Sequence, residues 1–277
     1  MERVLFSPLR NANPFFHLME ALWMLAGRND LAFPKQFNSR FGEYSDDGVT
    51  LHGAYGFRWR NHFGVDQLEY IVRELREHPD SRRAVLQMWD PQADLERLRA
   101  GGRDVPCNTV IYFDLRGGVL NMMASNRSND ALWGAFGANA VHFSVLQEYL
   151  AARIGVHVGL YHQVTNNLHV YTGIYSKERL KAIAADAEAT NRYCERLQPV
   201  PMVTHPDAFC DDLEMFLANP GHHNVNIKNE WFLHTAVPVY TSWKSRDFND
   251  LKQIEAPDWQ RACTEWVCRR LDGKASK

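Results

Sequence analysis

PCNTVIYFDLRGGVLNMMASNRSND, residues 106–130, decides how this chain is read. Residues 108–115 and 119–125 are rich in β-branched, aromatic and large apolar side chains, and Arg116-Gly117-Gly118 between them is a turn signal. The pattern predicts a hairpin. Cys107 opens its first strand, just after Pro106, where a side chain can face a cleft. The second strand runs into Asn126-Arg127-Ser128-Asn129-Asp130. Burying so many polar groups without partners costs on the order of a few kcal/mol each. A ligand or a hydrogen-bond network must therefore satisfy them. An arginine beside a serine suits a phosphate, because the guanidinium fork and the hydroxyl both donate.

Working outward, the spacing predicts helices over residues 15–27, 67–77, 139–153 and 176–197, and near 207–217 and 259–271. Short apolar runs at 83–89, 156–159 and 168–171 read as further strands. Residues 32–64, rich in Gly, Asn, Asp and aromatics, read as a long structured loop. Strands in mid-chain among long helices predict an α+β fold with one twisted mixed sheet, in a single domain spanning 1–277. Residues 200–277 form its divergent extension or lid.

The 277 residues are 45% hydrophobic and 23% charged, with a formal net charge of −2. That balance is ordinary for a globular core and gives no basic field for duplex nucleic acid. No apolar run approaches the roughly 20 residues that span a bilayer, and no signal-peptide pattern is present. Five irregularly spaced cysteines suggest neither a disulfide framework nor a zinc site. A reducing cytoplasmic setting is expected. His222-His223 sits in a Pro-Gly loop without neighbouring carboxylates, so no metal is expected.

Several residues beyond the hairpin bear chemistry, and each has a plain alternative. Cys107 alone is a small buried hydrophobe. Arg82 and Arg83 are either a phosphate clamp or two solvated arginines. His169 and Tyr171 alternate onto one strand face, where both rings reach a ribose or simply pack. Glu20 is a carboxylate in an apolar helix, expensive unless paired or used for proton transfer.

Together, HLMEALWMLAG, GAYGFRWR, DSRRAVLQMWDP, PCNTVIYFDL, NRSNDALWGAFGAN and NNLHVY, from about residue 15 to 172, resemble the thymidylate synthase family, which includes the phage-type nucleotide hydroxymethylases. The resemblance implies a homodimer packed sheet to sheet. It implies that Cys107 attacks C6 of a pyrimidine nucleoside monophosphate, so that C5 takes a carbon from 5,10-methylenetetrahydrofolate. Arg127 and Ser128 would hold the phosphate, with Arg82 and Arg83 reaching it across the dimer. His169 and Tyr171 would fix the ribose and Asn139 would read the base, favouring uracil over cytosine. Glu20 and Tyr55 would move protons. Asp130, Trp133 and Gly134 would contact the folate.

Some positions depart from the family pattern. Asn108 stands where a histidine is usual, and Phe41 where a tryptophan packs on the folate. The N-terminal phosphate loop with its own arginine has no evident counterpart, and no C-terminal closing segment is recognisable. Water exclusion decides whether the transferred carbon ends as methyl or hydroxymethyl. The Phe41 and tail departures, with the C-N-T-V and R-S-N-D wording, favour hydroxymethyl transfer, with thymidylate synthesis the alternative. Two rivals need less of this pattern. A nucleotide-binding module has no use for Cys107 or Glu20, and a hydrolase pairing Cys107 with His142 or His169 lacks an evident oxyanion site.

Overall fold

The computed structural model describes residues 2–186 and 192–275. Its strands are β1 (Val85–Gln87), β2 (Asn108–Arg116), β3 (Val119–Asn126), β4 (Asn129–Asp130), β5 (His157–Thr165) and β6 (Leu168–His169). The main sheet has the order β1-β2-β3-β5. β1 and β3 flank β2 antiparallel, and β5 lies parallel to β3, so the sheet is mixed. The predicted hairpin is β2–β3, and its turn places Gly117 at φ 60° and Gly118 at φ 78°, conformations that favour glycine.

One face of this sheet is core: Leu86, Ile111 and Ala124 are fully buried. The opposite face carries Val85, Tyr112, Met123 and His162 in one register row across all four strands. Val85, Tyr112 and Met123 are exposed, as are Leu160 and Val164 further along β5. An outward face is ordinarily polar; in this row three of the four side chains are apolar.

The helices are α1 (Pro14–Leu25), α2 (Tyr55–Arg60), α3 (Gln67–Glu77), α4 (Pro91–Arg99), α5 (Asn139–Ile154), α6 (Lys177–Asp186), α7 (Phe209–Ala218), α8 (Val237–Ser245) and α9 (Pro257–Ala275). The chain divides into two compact units. The sheet unit holds Glu20–Asn129 and Phe143–His169; the helical unit holds Met1–Met19, Asp130–His142 and Val170–Lys277. Inside the sheet unit, Gln147 of α5 donates to the Leu120 and Leu160 carbonyls, tying the helix to the two parallel strands. α2 crosses α1 so closely that a Cβ on Gly56 would fall on the Met24 carbonyl. The backbone contact fixes where α2 begins, at Tyr55. The helical unit is built on aromatic packing, with Phe15 against Trp243 and Trp266 at 5.4 and 5.7 Å. Its buried Arg3 pairs with Asp258 at 2.9 Å.

Four sequence expectations need correction. A second, two-stranded sheet, β4–β6, accompanies the main one. The helix expected over 176–197 ends at Asp186 among the described residues, and Arg192–Glu195 is a separate 3-10 turn; residues 187–191 lie outside them. The strand expected over 168–171 stops at His169, because the Tyr171 carbonyl accepts from the Ile174 and Tyr175 amides and turns the chain. The long loop of 32–64 contains α2, and α4 and α8 were not anticipated.

Candidate active site

The bulge between Asn108 and Val110 breaks the β2–β3 register immediately after Cys107. Such bulges bend a strand and re-aim side chains, and they recur beside active sites. Here the bulge leaves Cys107 half-buried at the strand mouth, with its carbonyl accepting from Arg127 N at 2.9 Å. The Arg127 guanidinium clasps the preceding backbone, with Nε to Pro106 O at 2.8 Å and Nη2 to Val105 O at 3.1 Å. It lies over Trp89, 5.8 Å from the ring centre, and Nη2 approaches Cys107 Sγ at 3.7 Å.

These contacts set the thiol's acidity. Burial pushes the Cys107 thiol above its ordinary value, the Arg127 charge pulls it back down, and the Asp104 charge pushes it up again. Tyr55 closes the corner: its hydroxyl accepts from Asn108 N at 3.4 Å. Burial, with the nearby Cys107, pushes the phenol pKa well up, so the hydroxyl keeps its proton and can give or relay it. Asn108 is fully buried, and Glu20 is buried on α1 at 9% exposure.

The polar run after β3 divides in two. Asn126 donates to Val164 O and Thr165 Oγ1, and Asn129 to Gln163 Oε1, so β5 takes the amide N–H groups of both, while Asn126 Oδ1 is buried with no partner among the described residues. Arg127 and Ser128 keep solvent exposure. Arg83 leans back on Glu74 at 2.9 Å, and Arg82 makes no side-chain hydrogen bond among the described residues. His169 Nδ1 meets Asn167 O at 3.3 Å. Tyr171 belongs to the helical unit, so the two rings do not share a strand. Phe41, in the sheet unit, stands edge-on to Trp23 at 6.2 Å.

The helical unit has its own constellation. Asp130 caps the segment Ala131–Ala138, with Oδ1 accepting from Leu132 N and Trp133 N at 2.9 and 2.6 Å. The segment kinks at Phe136 and Gly137 before buried Asn139 opens α5. Trp133 Nε1 donates to Tyr175 Oη at 2.7 Å, and its ring packs on Tyr171 at 5.9 Å. Trp133, Phe136 and Tyr171 all expose ring surface.

Arg10 joins this group without a sequence signal. Its Nε and Nη1 are buried and have no hydrogen-bond partner among the described residues, and Asp130 Oδ2 is in the same state. Burial lowers the Arg10 pKa, while Tyr175 and Asp130 counter it. Nothing local in SPLRNANP marks that guanidinium as buried; only the fold does. Exposed ring faces, an orphaned carboxylate oxygen and an orphaned cation suit a flat, hydrogen-bonding heterocycle that carries an anionic tail. A folate has that chemistry, and the residues present fit one.

Sheet, strand-mouth cysteine and clasping arginine are the arrangement that covalent-nucleophile enzymes require. A thymidylate synthase family model matches residues 10–204. The chain is 44% identical to a deoxyuridylate hydroxymethyltransferase of Pseudomonas phage M6, over 97% of this chain and 81% of the relative. It is 36% identical to one of Bacillus phage SP01, over 78% and 60%. A putative thymidylate synthase of Methanothermobacter thermautotrophicus matches at 39% identity over 59% and 72%. The chain belongs to the thymidylate synthase family. It is therefore a folate-dependent one-carbon transferase acting on a nucleotide. No helix among the described residues is long and apolar enough to cross a membrane.

Proposed function

We propose that this protein moves a one-carbon unit from 5,10-methylenetetrahydrofolate to C5 of dUMP and ends the reaction by hydration, releasing 5-hydroxymethyl-dUMP. The contact between Arg127 and the Cys107 thiol carries the chemical part of this reading. The names of the two phage relatives carry the choice of product.

When bound, the folate supplies carbon at the oxidation level of formaldehyde. The protein does the rest. Arg127 steadies the thiolate, and Cys107 adds through sulfur to C6 of the pyrimidine, which places electron density on C5. Tyr55, its proton retained beside Cys107, orders the water that takes up the proton lost from C5. Glu20 orders water along the same proton route. Arg127 and Ser128 bind the phosphate, His169 and Tyr171 the ribose, and Asn139 the base edge. Asp130, Trp133, Gly134 and Phe41 meet the folate. The product test is mass spectrometry after incubation with dUMP, and separately dCMP, plus 5,10-methylenetetrahydrofolate. A gain of CH2O on dUMP is expected. A gain of CH2 with dihydrofolate formed makes it a synthase instead, and a gain of CH2O on dCMP alone moves the base.

The second element of the proposal is a homodimer formed through the outward sheet face. The row Val85, Tyr112, Met123 is apolar and exposed, as a face awaiting a second copy should be. In that dimer Arg82 and Arg83 reach the phosphate of the other subunit. Met123→Arg is expected to convert the dimer seen by analytical ultracentrifugation to monomer, with turnover falling in parallel. An unchanged sedimentation coefficient would count against this interface.

A further inference from the structure

One acidic side chain in the nucleophile's neighbourhood has no part in the mechanism above. Asp104 lies three residues before Cys107 and is half-buried. One carboxylate oxygen is used: backbone N–H groups of His52 and Gly53 donate to the side chain. The other, Oδ2, is buried and has no hydrogen-bond partner among the described residues. A buried oxygen left in that state costs stability. A neutral amide could cap the same two amides without carrying a charge.

That charge also works against the first chemical step. It raises the Cys107 thiol, opposing Arg127. Asp104 thus weakens the fold and hinders the nucleophile where it stands. Groups that break local rules in this way concentrate where they are used. Burial, reinforced by Asp46, pushes the Asp104 carboxyl above its ordinary value, with His52 pulling the other way. A carboxylate tuned upward is a better proton acceptor.

We propose that Asp104 Oδ2 holds and deprotonates the water that hydrates the transferred carbon. The inference rests on the hydroxymethyl outcome proposed above. The carbon to be hydrated is three bonds from Cys107 sulfur, through C6 and C5. A water hydrogen-bonded to Oδ2 bridges from a carboxylate whose charge is felt at that sulfur. As the water oxygen bonds to the exocyclic carbon, its proton passes to Asp104. The electron pair of the exocyclic double bond moves to C5 and onto the O4 enolate. Collapse of the enolate re-forms C5=C6 and expels Cys107 as thiolate. Asp104 then returns its proton to the solvent. Water is the only co-reactant, and nothing is oxidised or reduced.

The test compares wild type, Asp104→Asn and Asp104→Glu with dUMP and 5,10-methylenetetrahydrofolate. Asp104→Asn is expected to lower kcat about 100-fold, within the range of a lost general base. KM for dUMP should stay within about threefold, since the substitution removes no proposed nucleotide contact. Intact-protein mass spectra of quenched turnover should show the nucleotide plus one carbon held on Cys107, a species scarce in wild type. The acid limb of the kcat profile, to which Asp46 and Cys107 also contribute, should flatten; His52 faces the same carboxylate. Asp104→Glu should regain at least a tenth of the lost rate. A kcat within threefold of wild type overturns the proposal. So does a large loss without accumulated adduct, or one matched by equal losses of dUMP affinity and melting temperature, which marks a structural role. If wild type itself yields thymidylate, the functional reading fails whatever Asp104→Asn does. If wild type yields the hydroxymethyl nucleotide and the variant keeps pace, only Asp104 is misassigned.

Discussion

Arg127→Ala is expected to slow alkylation of Cys107 by iodoacetamide about tenfold at neutral pH and to move its half-maximal pH up by about one unit. The sign follows from the local charges. Burial already raises the thiol, and Arg127 is the group that lowers it. Removing the guanidinium leaves burial and Asp104 acting in the same direction, so less thiolate is present at any given pH. The reaction must be mapped by peptide mass, because Cys194 and Cys268 are exposed and will also react. Turnover should fall further than alkylation. Loss of a hydrogen bond to a charged group costs about 1.5–3 kcal/mol, or roughly 10- to 150-fold, and Arg127 is assigned a phosphate as well as the thiolate. A pH profile identical to wild type would mean that the 3.7 Å contact has no electrostatic consequence.

The largest stability effect is expected at the buried ion pair between α2 and α4. Arg58 and Asp94 are both fully buried, and Nη2 meets Oδ1 at 2.6 Å. His52 Nε2 shares that oxygen at 2.7 Å, and Arg58 Nη1 meets His62 Nε2 at 3.1 Å. His62 in turn reaches Asp90 at 2.8 Å. Asp94→Ala strands the arginine charge in the interior and should destabilise the protein by about 3–5 kcal/mol. Replacing both partners with apolar residues, Arg58→Met with Asp94→Leu, should cost less, because no buried charge is left unpaired, although His52 Nε2 and Asp90 N lose their acceptor. Urea unfolding of wild type and the two variants measures this. A loss below about 1 kcal/mol for Asp94→Ala would show that water reaches the cluster. The network ties α2 to the N-terminus of α4, so it also holds the helix that presents Tyr55.

What could be read in advance was what the chain writes locally. The β2–β3 hairpin declares itself through two apolar strands and a glycine pair. Once it closes, Cys107 and Arg127 become neighbours although they are twenty positions apart. α3 was legible because its apolar residues repeat at helical spacing and Asp66 caps it, accepting from Leu68 N and Glu69 N. α4 carried the same signal, Asp90 followed by Pro91, and went unread because its hydrophobic stripe is thin. Other features had no local sign. Asp94 resembles any solvated helix acid until Arg58, 36 positions away, is folded against it. Period-two spacing put His169 and Tyr171 on one strand, but a turn after His169 ends that strand, and no periodicity announces it. Arg10 became visible only when the fold had buried it.

The crossing of α1 and α2 has a consequence at the level of the gene. Gly56 sits where no Cβ fits against the Met24 carbonyl. Every missense change reachable from a glycine codon by one base, to Ala, Val, Ser, Cys, Asp, Glu, Arg or Trp, adds that carbon. Inheritance therefore offers no gradual route away from Gly56. A lineage that drifts there must first shift the backbone of α1 around Met24, four residues along the helix from Glu20, so variation in the two helices is coupled at the point where Tyr55 is set in place.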